Sequence, residues 1–270
     1  MKISVILSTY NSPAWLEKVL WGYGAQHDSG FEVVVADDGS KDDTRRMIAG
    51  FAKRAPFPLR HVWQEDRGFR KWTIVNRAIL KASGEYLVFS DGDCVPRADV
   101  VAIHRARALP GRYLSGSYCR LPMAASKELT CEDIVSQRAF SATWLARHGA
   151  WAPHLIAKAA ARPMRLDGLA NRLLPARGTF NGNNSSCFKA DALRLGGFDE
   201  RIAYGGGDRE FGYRLVHAGV KPRVIRYSAL MLHLDHPRGY KNAAIRAANE
   251  VIIAETRATR RTRTDHGISR

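Results

Sequence analysis

Short apolar runs alternate with helical patterns over the first ninety or so residues. The runs at 3–8, 31–36, 59–63 and 85–90 predict buried strands, because a strand covered on both faces needs a nearly continuous hydrophobic sequence. Between them, helices are predicted at 13–26, after Ser40, and at 74–82, with Ser12 and Ser40 expected to cap the first two. Repeated strand–helix units of this length predict a mostly parallel sheet with helices on both faces.

Polar turns follow three of these predicted strands, at residues 9–11, 37–40 and 91–93. In parallel sheets, ligands bind beyond the carboxyl ends of the strands, so the three turns are expected to converge on one edge. Asp91 and Asp93 alternate at a strand end, which allows both carboxylates to address one hard cation. Phosphate oxygens could complete the coordination of Mg²⁺ or Mn²⁺, and Gly92 lets the backbone turn tightly.

The middle of the chain, residues 121–178, has a different character and is predicted to be a helical insertion. Its apolar side chains are mixed with many arginines. Two interpretations remain open: a helical layer packed on the sheet with a solvated basic face, or an amphipathic surface resting on an anionic membrane. The apolar residues concerned are Phe140, Trp144, Leu145, Trp151, Leu155 and Ile156.

The charge balance adds a question about partners, since 42 Lys and Arg against 26 Asp and Glu give a net charge of +16. Such a field attracts nucleic acid, anionic membranes or acidic small molecules. No zinc-finger, RNA-recognition or basic-zipper signature is present, so no nucleic-acid partner is expected. The sequence shows neither a signal peptide nor an apolar stretch of spanning length, which favours a cytoplasmic protein, at most peripheral on the inner face of a membrane.

The later part of the chain supplies further candidate groups. Asp208 follows three glycines and precedes a helical pattern, so it is expected to cap a helix and aim its carboxylate into the cleft. His233 and His236 follow a predicted strand, and either could bind a metal or be a hydrogen-bonded core histidine. Strands are also predicted at 223–227 and 229–232, a helix at 240–256, and a frayed basic end at 257–270. Cys94 has no neighbour that would activate its thiol and is interpreted as structural.

The motifs SVILSTYN, VVADDGSKDDT and EYLVFSDGDC, in this order, resemble family 2 glycosyltransferases of the A-type fold. The later segment GGFDERIAYGGGDREFGYRL is similar to the C-terminal region of chondroitin polymerase and β-1,4-galactosyltransferases, and the resemblance covers about residues 2–236. It implies a mostly parallel nucleotide-binding sheet and a metal-dependent, inverting hexosyltransferase using Mn²⁺ or Mg²⁺. The implied reaction moves a sugar from a UDP-sugar to a hydroxyl of a glycan or lipid-linked acceptor, as in polysaccharide or lipopolysaccharide biosynthesis.

The resemblance also implies a role for each motif, with Asp208 as general base. The residues expected to bind the nucleotide-sugar are Thr9, Tyr10, Asn11, Asp37, Asp38, Arg70, Lys71, Asp91 and Gly92. The expected metal ligands are Asp93, Asp91, His233 and His236. The residues expected at the acceptor are Asn183, Asn184, Gly206, Gly207 and Glu210. Relatives have Glu where this chain has Gly207, so their acceptor recognition does not carry over, and Glu210 is the candidate to compensate.

The expected organisation is one catalytic domain over 1–239 and a basic helical tail over 240–270. Within the domain, 1–120 would bind the nucleotide-sugar, 121–178 is the insertion, and 179–239 would hold the acceptor and the base. One alternative function is a sugar nucleotidyltransferase, but the turn after the first strand reads STYNSPAW and lacks the expected Gly-rich phosphate loop. A non-catalytic basic membrane- or nucleic-acid-binding protein would explain the charge but not the acidic turns.

Overall fold

The computed structural model describes residues 1–174, 178–237 and 242–269. Over these ranges the chain is a mixed α/β structure built on one large and one small sheet. The strands are β1 (Ile3–Thr9), β2 (Phe31–Asp37), β3 (Leu59–Trp63), β4 (Tyr86–Asp91), β5 (Cys94–Pro96), β6 (Arg112–Ser115), β7 (Ser117–Arg120), β8 (Ser185–Phe188), β9 (Lys221–Val224) and β10 (Leu230–His233). The helices are α1 (Pro13–Gly24), α2 (Asp42–Ala52), α3 (Lys71–Lys81), α4 (Val100–Arg107), α5 (Met123–Glu128), α6 (Cys131–Val135), α7 (Ala142–Arg147), α8 (Pro153–Ala161), α9 (Asp167–Leu173), α10 (Lys189–Arg194), α11 (Gly207–His217) and α12 (Ala243–Thr259).

The large sheet has the strand order β3-β2-β1-β4-β8-β6-β9. β1 pairs in parallel with β2 and β4, whereas β8 runs antiparallel to both β4 and β6. The register sets Thr9 opposite Asp37 and Ser8 opposite Asp91. The predicted mostly parallel sheet is therefore confirmed, and the three polar turns meet at one edge of it.

The small sheet has the order β5-β10-β7 and extends the same edge. Its register pairs His233 at the end of β10 with Cys94 on one side and with Arg120 on the other. Because Cys94 directly follows Asp93, this pairing carries a histidine from late in the chain to the acidic turn after β4.

Hydrophobic side chains cover both faces of the large sheet. Successive residues of β1 go to opposite sides: Val5 and Leu7 belong to the cluster with α1 and α2, and Ile6 to the cluster with α3 and α11. All seven residues of β1 are buried, as are all seven of β2. Burial on both faces explains why these strands read as continuous apolar runs in the sequence.

Three helix starts differ from the sequence expectation. Ser12 occupies the N-cap of α1 but makes no capping hydrogen bond through its side chain. Lys41 precedes α2, and the Ser40 hydroxyl instead accepts a hydrogen bond from the Asn11 backbone N–H. α3 begins at Lys71, three residues before the predicted start, because its first turn carries polar residues that the apolar spacing does not mark.

The insertion is helical from α5 to α9, and most of its highlighted apolar residues belong to the core. Phe140, Trp144 and Leu145 are buried in the cluster with α1, and Leu155 and Ile156 pack against it. For these residues the packed-layer interpretation holds, whereas Trp151 is 67% exposed. No helix among residues 1–174, 178–237 and 242–269 is long and apolar enough to cross a membrane.

The C-terminal residues are more ordered than the expected frayed end. Residues 240 and 241, where this helix was predicted to begin, lie outside the described residues; α12 begins at Ala243, after the N-cap Asn242, and continues through Thr259. Beyond it, Thr264 and Ile268 are buried, and their backbone N–H groups donate to the Leu195 and Gly196 carbonyls. The turn after α10 exposes carbonyl groups that the end of the chain satisfies, and this pairing holds the segment in place.

Candidate active site

A cleft of about 770 Å³ opens at the carboxyl ends of β1 and β4. It is formed by the polar turns, by the start of α3, by the glycine-rich turn before α11 and by the end of β10. The predicted site residues that line it are Thr9, Tyr10, Asp38, Lys71, Asp91, Gly92, Asp93, Gly206, Asp208, His233 and His236.

Asp91 is held on one side of the cleft by two partners. Its Oδ1 accepts hydrogen bonds from Lys71 Nζ at 2.6 Å and from Ser8 Oγ at 2.7 Å. Burial disfavours the charged form of Lys71, but the neighbouring carboxylates, Asp91 first, outweigh it and raise its pKa above the ordinary value. A fixed cation therefore lies beside the acidic turn, where it can meet a negatively charged ligand.

Asp93 faces the two histidines. His236 Nε2 lies 3.1 Å from its Oδ2 and His233 Nε2 lies 3.8 Å away. Burial favours the protonated carboxyl, but the hydrogen bond from His236 and the nearby His233 outweigh it, so the pKa of Asp93 lies below its ordinary value. The Cys94 thiol donates to Asp93 at 3.2 Å, and burial raises its pKa well above the ordinary value.

The donor groups around Asp93 fit a divalent cation. Among the described residues, one ligand atom each of Asp93, Cys94 and His233 lie within 4.8 Å of one another. His233 Nδ1 is buried and has no hydrogen-bond partner in that part of the chain. The protonated Cys94 thiol is a poor ligand, which agrees with its predicted structural role, so Asp93 and His233 with nearby His236 form the best-fitting set. Asp91 is not part of this close group.

Asp38 is the buried carboxylate on the β2 side of the cleft. Gln64 Nε2 donates to its Oδ1 at 2.6 Å and the Arg70 backbone N–H donates to its Oδ2 at 2.8 Å. Despite both bonds, burial raises the pKa of Asp38 above its ordinary value. Each carboxylate oxygen retains a second acceptor direction, so Asp38 can still accept a hydrogen bond from a ligand.

The other residues predicted to contact the nucleotide fall into two groups, those that line the cleft and those that do not. Thr9 Oγ1 is buried in the cleft wall without a hydrogen-bond partner among the described residues, and Tyr10 donates to Asp66. Asp37, Asn11 and Arg70 do not line this cleft.

These three residues have structural partners. Both Asp37 oxygens are engaged, by the Ser40 N–H and by His61. Asn11 accepts from the Lys41 N–H through its side chain. The Arg70 guanidinium donates to the Glu65 carbonyl, its backbone N–H donates to Asp38, and its buried Nε has no hydrogen-bond partner among the described residues. Direct nucleotide contact by these three residues stays a prediction, although local turns and strands already engage the polar atoms of Asp37 and Asn11.

Asp208 lines the cleft as the second residue of α11. Gly206, with φ of +98°, occupies the N-cap, so Asp208 is not the cap that the sequence suggested. Its Oδ2 accepts from the Gly182 N–H at 3.0 Å and its Oδ1 from the Arg209 N–H at 2.8 Å. Asp208 also lines a second cavity of about 360 Å³, which is bounded by Asn181, Arg209, Arg246 and Glu250. Asp208 therefore borders two spaces at once.

The residues expected to bind the acceptor also fall into two groups, those that line a cavity and those that do not. Gly206 lines both cavities. Asn184 is fully buried and donates to the Ser117 and Ala229 carbonyls, so it joins strands instead of facing a ligand. Asn183 lines neither cavity of the described residues, and its buried Oδ1 has no hydrogen-bond partner among them.

Glu210 points into the core. Its side chain is 0% exposed and ion-paired with Arg214, which is also 0% exposed. Thr256 adds a third contact by donating its hydroxyl to Glu210 Oε1. The residue predicted to compensate for Gly207 therefore lines neither cavity of the described chain, because the i,i+4 pair with Arg214 uses its carboxylate.

Gly207 has a neighbour that the sequence analysis overlooked. A Cβ atom at this position would lie 2.3 Å from Nε1 of Trp72, whose buried indole N–H has no partner in the described chain. Trp72 therefore fills the space that any larger side chain at position 207 would enter. The position of Trp72 directly after the DRGFRK motif could have identified it as a site residue from the sequence. Arg120 and Arg246 also line the cleft, but no sequence motif marks them.

Comparisons with known proteins agree with this architecture. Residues 4–109 match the family model of glycosyl transferase family 2. Validoxylamine A glucosyltransferase of Streptomyces hygroscopicus subsp. jinggangensis is 31% identical over 246 residues, 88% of this chain and 57% of that protein. Chondroitin synthase of Escherichia coli is 26% identical over 94% of this chain and 37% of that protein. The chain thus spans little more than half of the first relative and over a third of the second.

Solved structures share the fold at low sequence identity. A mannosyltransferase from Pyrobaculum calidifontis, in complex with GDP-Man and Mn²⁺, has a TM-score of 0.63 at 21% identity, covering 96% of this chain and 64% of that one. TarS residues 1–349 of S. aureus, in complex with UDP, has a TM-score of 0.62 at 19% identity, covering 96% of this chain and 68% of that one. Residues 4–109 thus match glycosyl transferase family 2, and the fold of the chain is the A-type glycosyltransferase fold.

Proposed function

We propose that this chain is an inverting, metal-dependent hexosyltransferase that moves a sugar from a UDP-sugar to a hydroxyl of a glycan or lipid-linked acceptor. The observation that carries the proposal is the placement of Asp208 in the same cleft as Asp91, Asp93 and Lys71. A base on one wall and a charged site for the leaving group on the other are what a single displacement needs. Polysaccharide or lipopolysaccharide synthesis is the proposed setting.

Support for a UDP donor comes from Asp38 and from similar proteins. An ionised carboxylate only accepts hydrogen bonds, and Asp38 has free acceptor directions for the imide N–H of uracil. TarS has been solved with UDP and with UDP-GlcNAc, whereas the similar mannosyltransferase was solved with GDP-Man. The buried hydroxyl of Thr9 offers a further hydrogen bond to the nucleotide.

Asp93 and His233, with His236 and Asp91 beside them, would hold the divalent cation. Mg²⁺ strongly prefers oxygen ligands, so an imidazole in the set favours Mn²⁺. The bound cation would supply positive charge to stabilise the negative charge that develops on the departing diphosphate. Lys71 is placed to contribute to the same task from the protein itself.

Asp208 would take the proton of the acceptor hydroxyl. The Gly182 and Arg209 N–H groups hold both of its oxygens in the first turn of α11. A carboxylate is a far weaker base than an alkoxide, so the proton moves late, as the new C–O bond acidifies the hydroxyl. Attack from the Asp208 side, opposite the leaving group, inverts the anomeric carbon.

The second cavity is the proposed approach for the acceptor, because Asp208 lines it and the acidic turn with Asp91 and Asp93 does not. Arg209, Arg246 and Glu250 line it and could bind sugar hydroxyls. With Trp72 against Gly207, the chain lacks the acceptor-binding glutamate of its relatives. We therefore propose that its acceptor differs from theirs.

UDP release from a panel of UDP-sugars with Mn²⁺ tests the proposed function. Asp208→Asn should lower the rate roughly 10²- to 10⁴-fold, the usual contribution of a general base. The melting-temperature shift caused by UDP and Mn²⁺ should persist, because Asp208 does not touch the nucleotide. Asp42→Asn is the matched control, since Asp42 is 72% exposed on α2.

Three outcomes would count against the proposal. If no UDP-sugar shifts the melting temperature with Mn²⁺ present, the donor assignment fails. If Asp208→Asn keeps the wild-type rate, the base assignment fails. If turnover consumes a sugar phosphate and nucleoside triphosphate and releases pyrophosphate, the chain is a sugar nucleotidyltransferase.

A further inference from the structure

Large apolar side chains are exposed together at the end of the insertion. Within residues 164–174, five of them are 45–63% exposed. We call this set the α9 apolar face. Its members are Met164, Leu166, Leu169, Leu173 and Leu174. Scattered exposed leucines are normal, but a contiguous group of this kind marks an interaction site.

Polar contacts hold α9 in this orientation. Asp167 is buried and accepts a hydrogen bond from the Ser228 hydroxyl. Asn171, one turn later, donates to the same hydroxyl and accepts from the Tyr227 N–H. Residues four apart lie on one side of a helix, so this side of α9 faces the protein.

Leu169 and Leu173 also stand four residues apart, about half a turn around from Asp167 and Asn171. They therefore face solvent while the polar side faces the body of the protein. This is the reverse of an ordinary surface helix, whose apolar stripe covers the core. The arrangement leaves an apolar surface that the described part of the chain does not cover.

The charges around the face identify the class of partner. Arg165 and Arg172 are exposed and make no ion pair within the described ranges, while Asp167, the one acid in residues 162–174, is buried. The whole chain carries +16. An anionic lipid bilayer fits both the exposed apolar side chains and the two exposed arginines. The apolar side chains can insert into the hydrocarbon, and the arginines can pair with the lipid phosphates.

We propose that the α9 apolar face docks on an anionic lipid bilayer, with Arg165 and Arg172 at the headgroups. Leu169 and Leu173 would insert beside them. This inference does not rest on the identity of the donor or of the base. It retains the membrane alternative of the sequence analysis but assigns it to other residues, because most of the apolar residues named there pack in the core.

Flotation with vesicles tests the proposal directly. The full chain should bind vesicles of 30% phosphatidylglycerol in phosphatidylcholine at low salt, and bind pure phosphatidylcholine more weakly. The double variant L169S/L173S and the double variant R165Q/R172Q should each weaken binding roughly tenfold or more. The matched controls are L80S/V251S and R77Q, whose side chains are exposed on α3 and α12, and they should bind like wild type.

Other results would overturn the proposal. These are failure of the wild type to bind the acidic vesicles, or binding by L169S/L173S equal to that of L80S/V251S. A third such result would be light scattering that shows a dimer for the wild type and a monomer for L169S/L173S. In that case a second copy of the chain, not a bilayer, would cover the α9 apolar face. If L169S/L173S does not fold, R165Q/R172Q keeps the test decisive, since it leaves the apolar face intact.

Discussion

The Glu210→Ala substitution removes one half of a fully buried ion pair. Arg214 donates to the two Glu210 oxygens at 2.8 to 3.0 Å, and neither side chain is exposed. In the variant, Arg214 would keep only its hydrogen bonds to the Leu195 and Gly197 carbonyls. Thr256 would lose its acceptor as well. The variant therefore leaves a buried positive charge without its counter-charge.

Leaving such a charge unpaired costs about 3–5 kcal/mol of folding free energy. For a chain of this size, each kcal/mol lowers the melting temperature by roughly 2–4 °C, so Glu210→Ala should melt roughly 6–20 °C below wild type. Glu132→Ala is the matched control. Glu132 also pairs with an arginine, Arg138, but it is 81% exposed, and such pairs contribute about 0–1 kcal/mol.

Calorimetric melting at neutral pH measures the effect, and UDP release well below the melting temperature measures the remaining activity. The expected result is a large loss of stability with little change in the KM for acceptor. A Glu210→Ala protein that melts within about 3 °C of wild type while its acceptor KM rises sharply would refute the structural role. Glu210 would then be the acceptor ligand that the sequence first suggested.

Burial lowers the pKa of His104 to about 4. The neutral buried imidazole therefore contributes its full stabilisation above pH 6.5, and this contribution is lost as the pH falls toward 4. In urea unfolding over that range, the free energy of unfolding should fall by roughly 3 kcal/mol more for wild type than for His104→Gln. Gly207→Ala places a Cβ 2.3 Å from Trp72 Nε1 and should cost about 1–3 kcal/mol in chemical unfolding, whereas Gly50→Ala, in open space on α2, should not destabilise. Asp93→Asn should weaken Mn²⁺ binding roughly tenfold or more in titration calorimetry, and unchanged affinity would exclude Asp93 as a ligand.

The nucleotide half of the fold could be predicted because its strands are buried on both faces. β1 to β4 begin and end within one residue of the apolar runs. The parallel register then brings the polar turns together without further information. The placement of Asp38, Asp91 and Asp93 in one cleft follows from that register alone.

Side-chain roles were harder to predict, because partners far apart in the chain decide them. Asn184 has the composition of a ligand-binding loop, but its amide donates to carbonyl groups 45 and 67 residues away. Asp37 and Asp38 are adjacent and chemically identical, yet only Asp38 reaches the cleft. In the insertion, Asp167 and Asn171 contact Tyr227 and Ser228, and these contacts determine which leucines of α9 face solvent. The spacing of apolar residues in the sequence does not reveal such contacts.

The pairing of the chain's end with the turn after α10 has a consequence for synthesis. The helix that carries Asp208 also carries Glu210, whose carboxylate meets Thr256, and the turn beside it is closed by residues 264 and 268. During translation, the nucleotide half can fold first, whereas α11 lacks part of its packing until residues 256–268 have left the ribosome. A nascent chain stalled before that point should therefore bind UDP before it can transfer sugar.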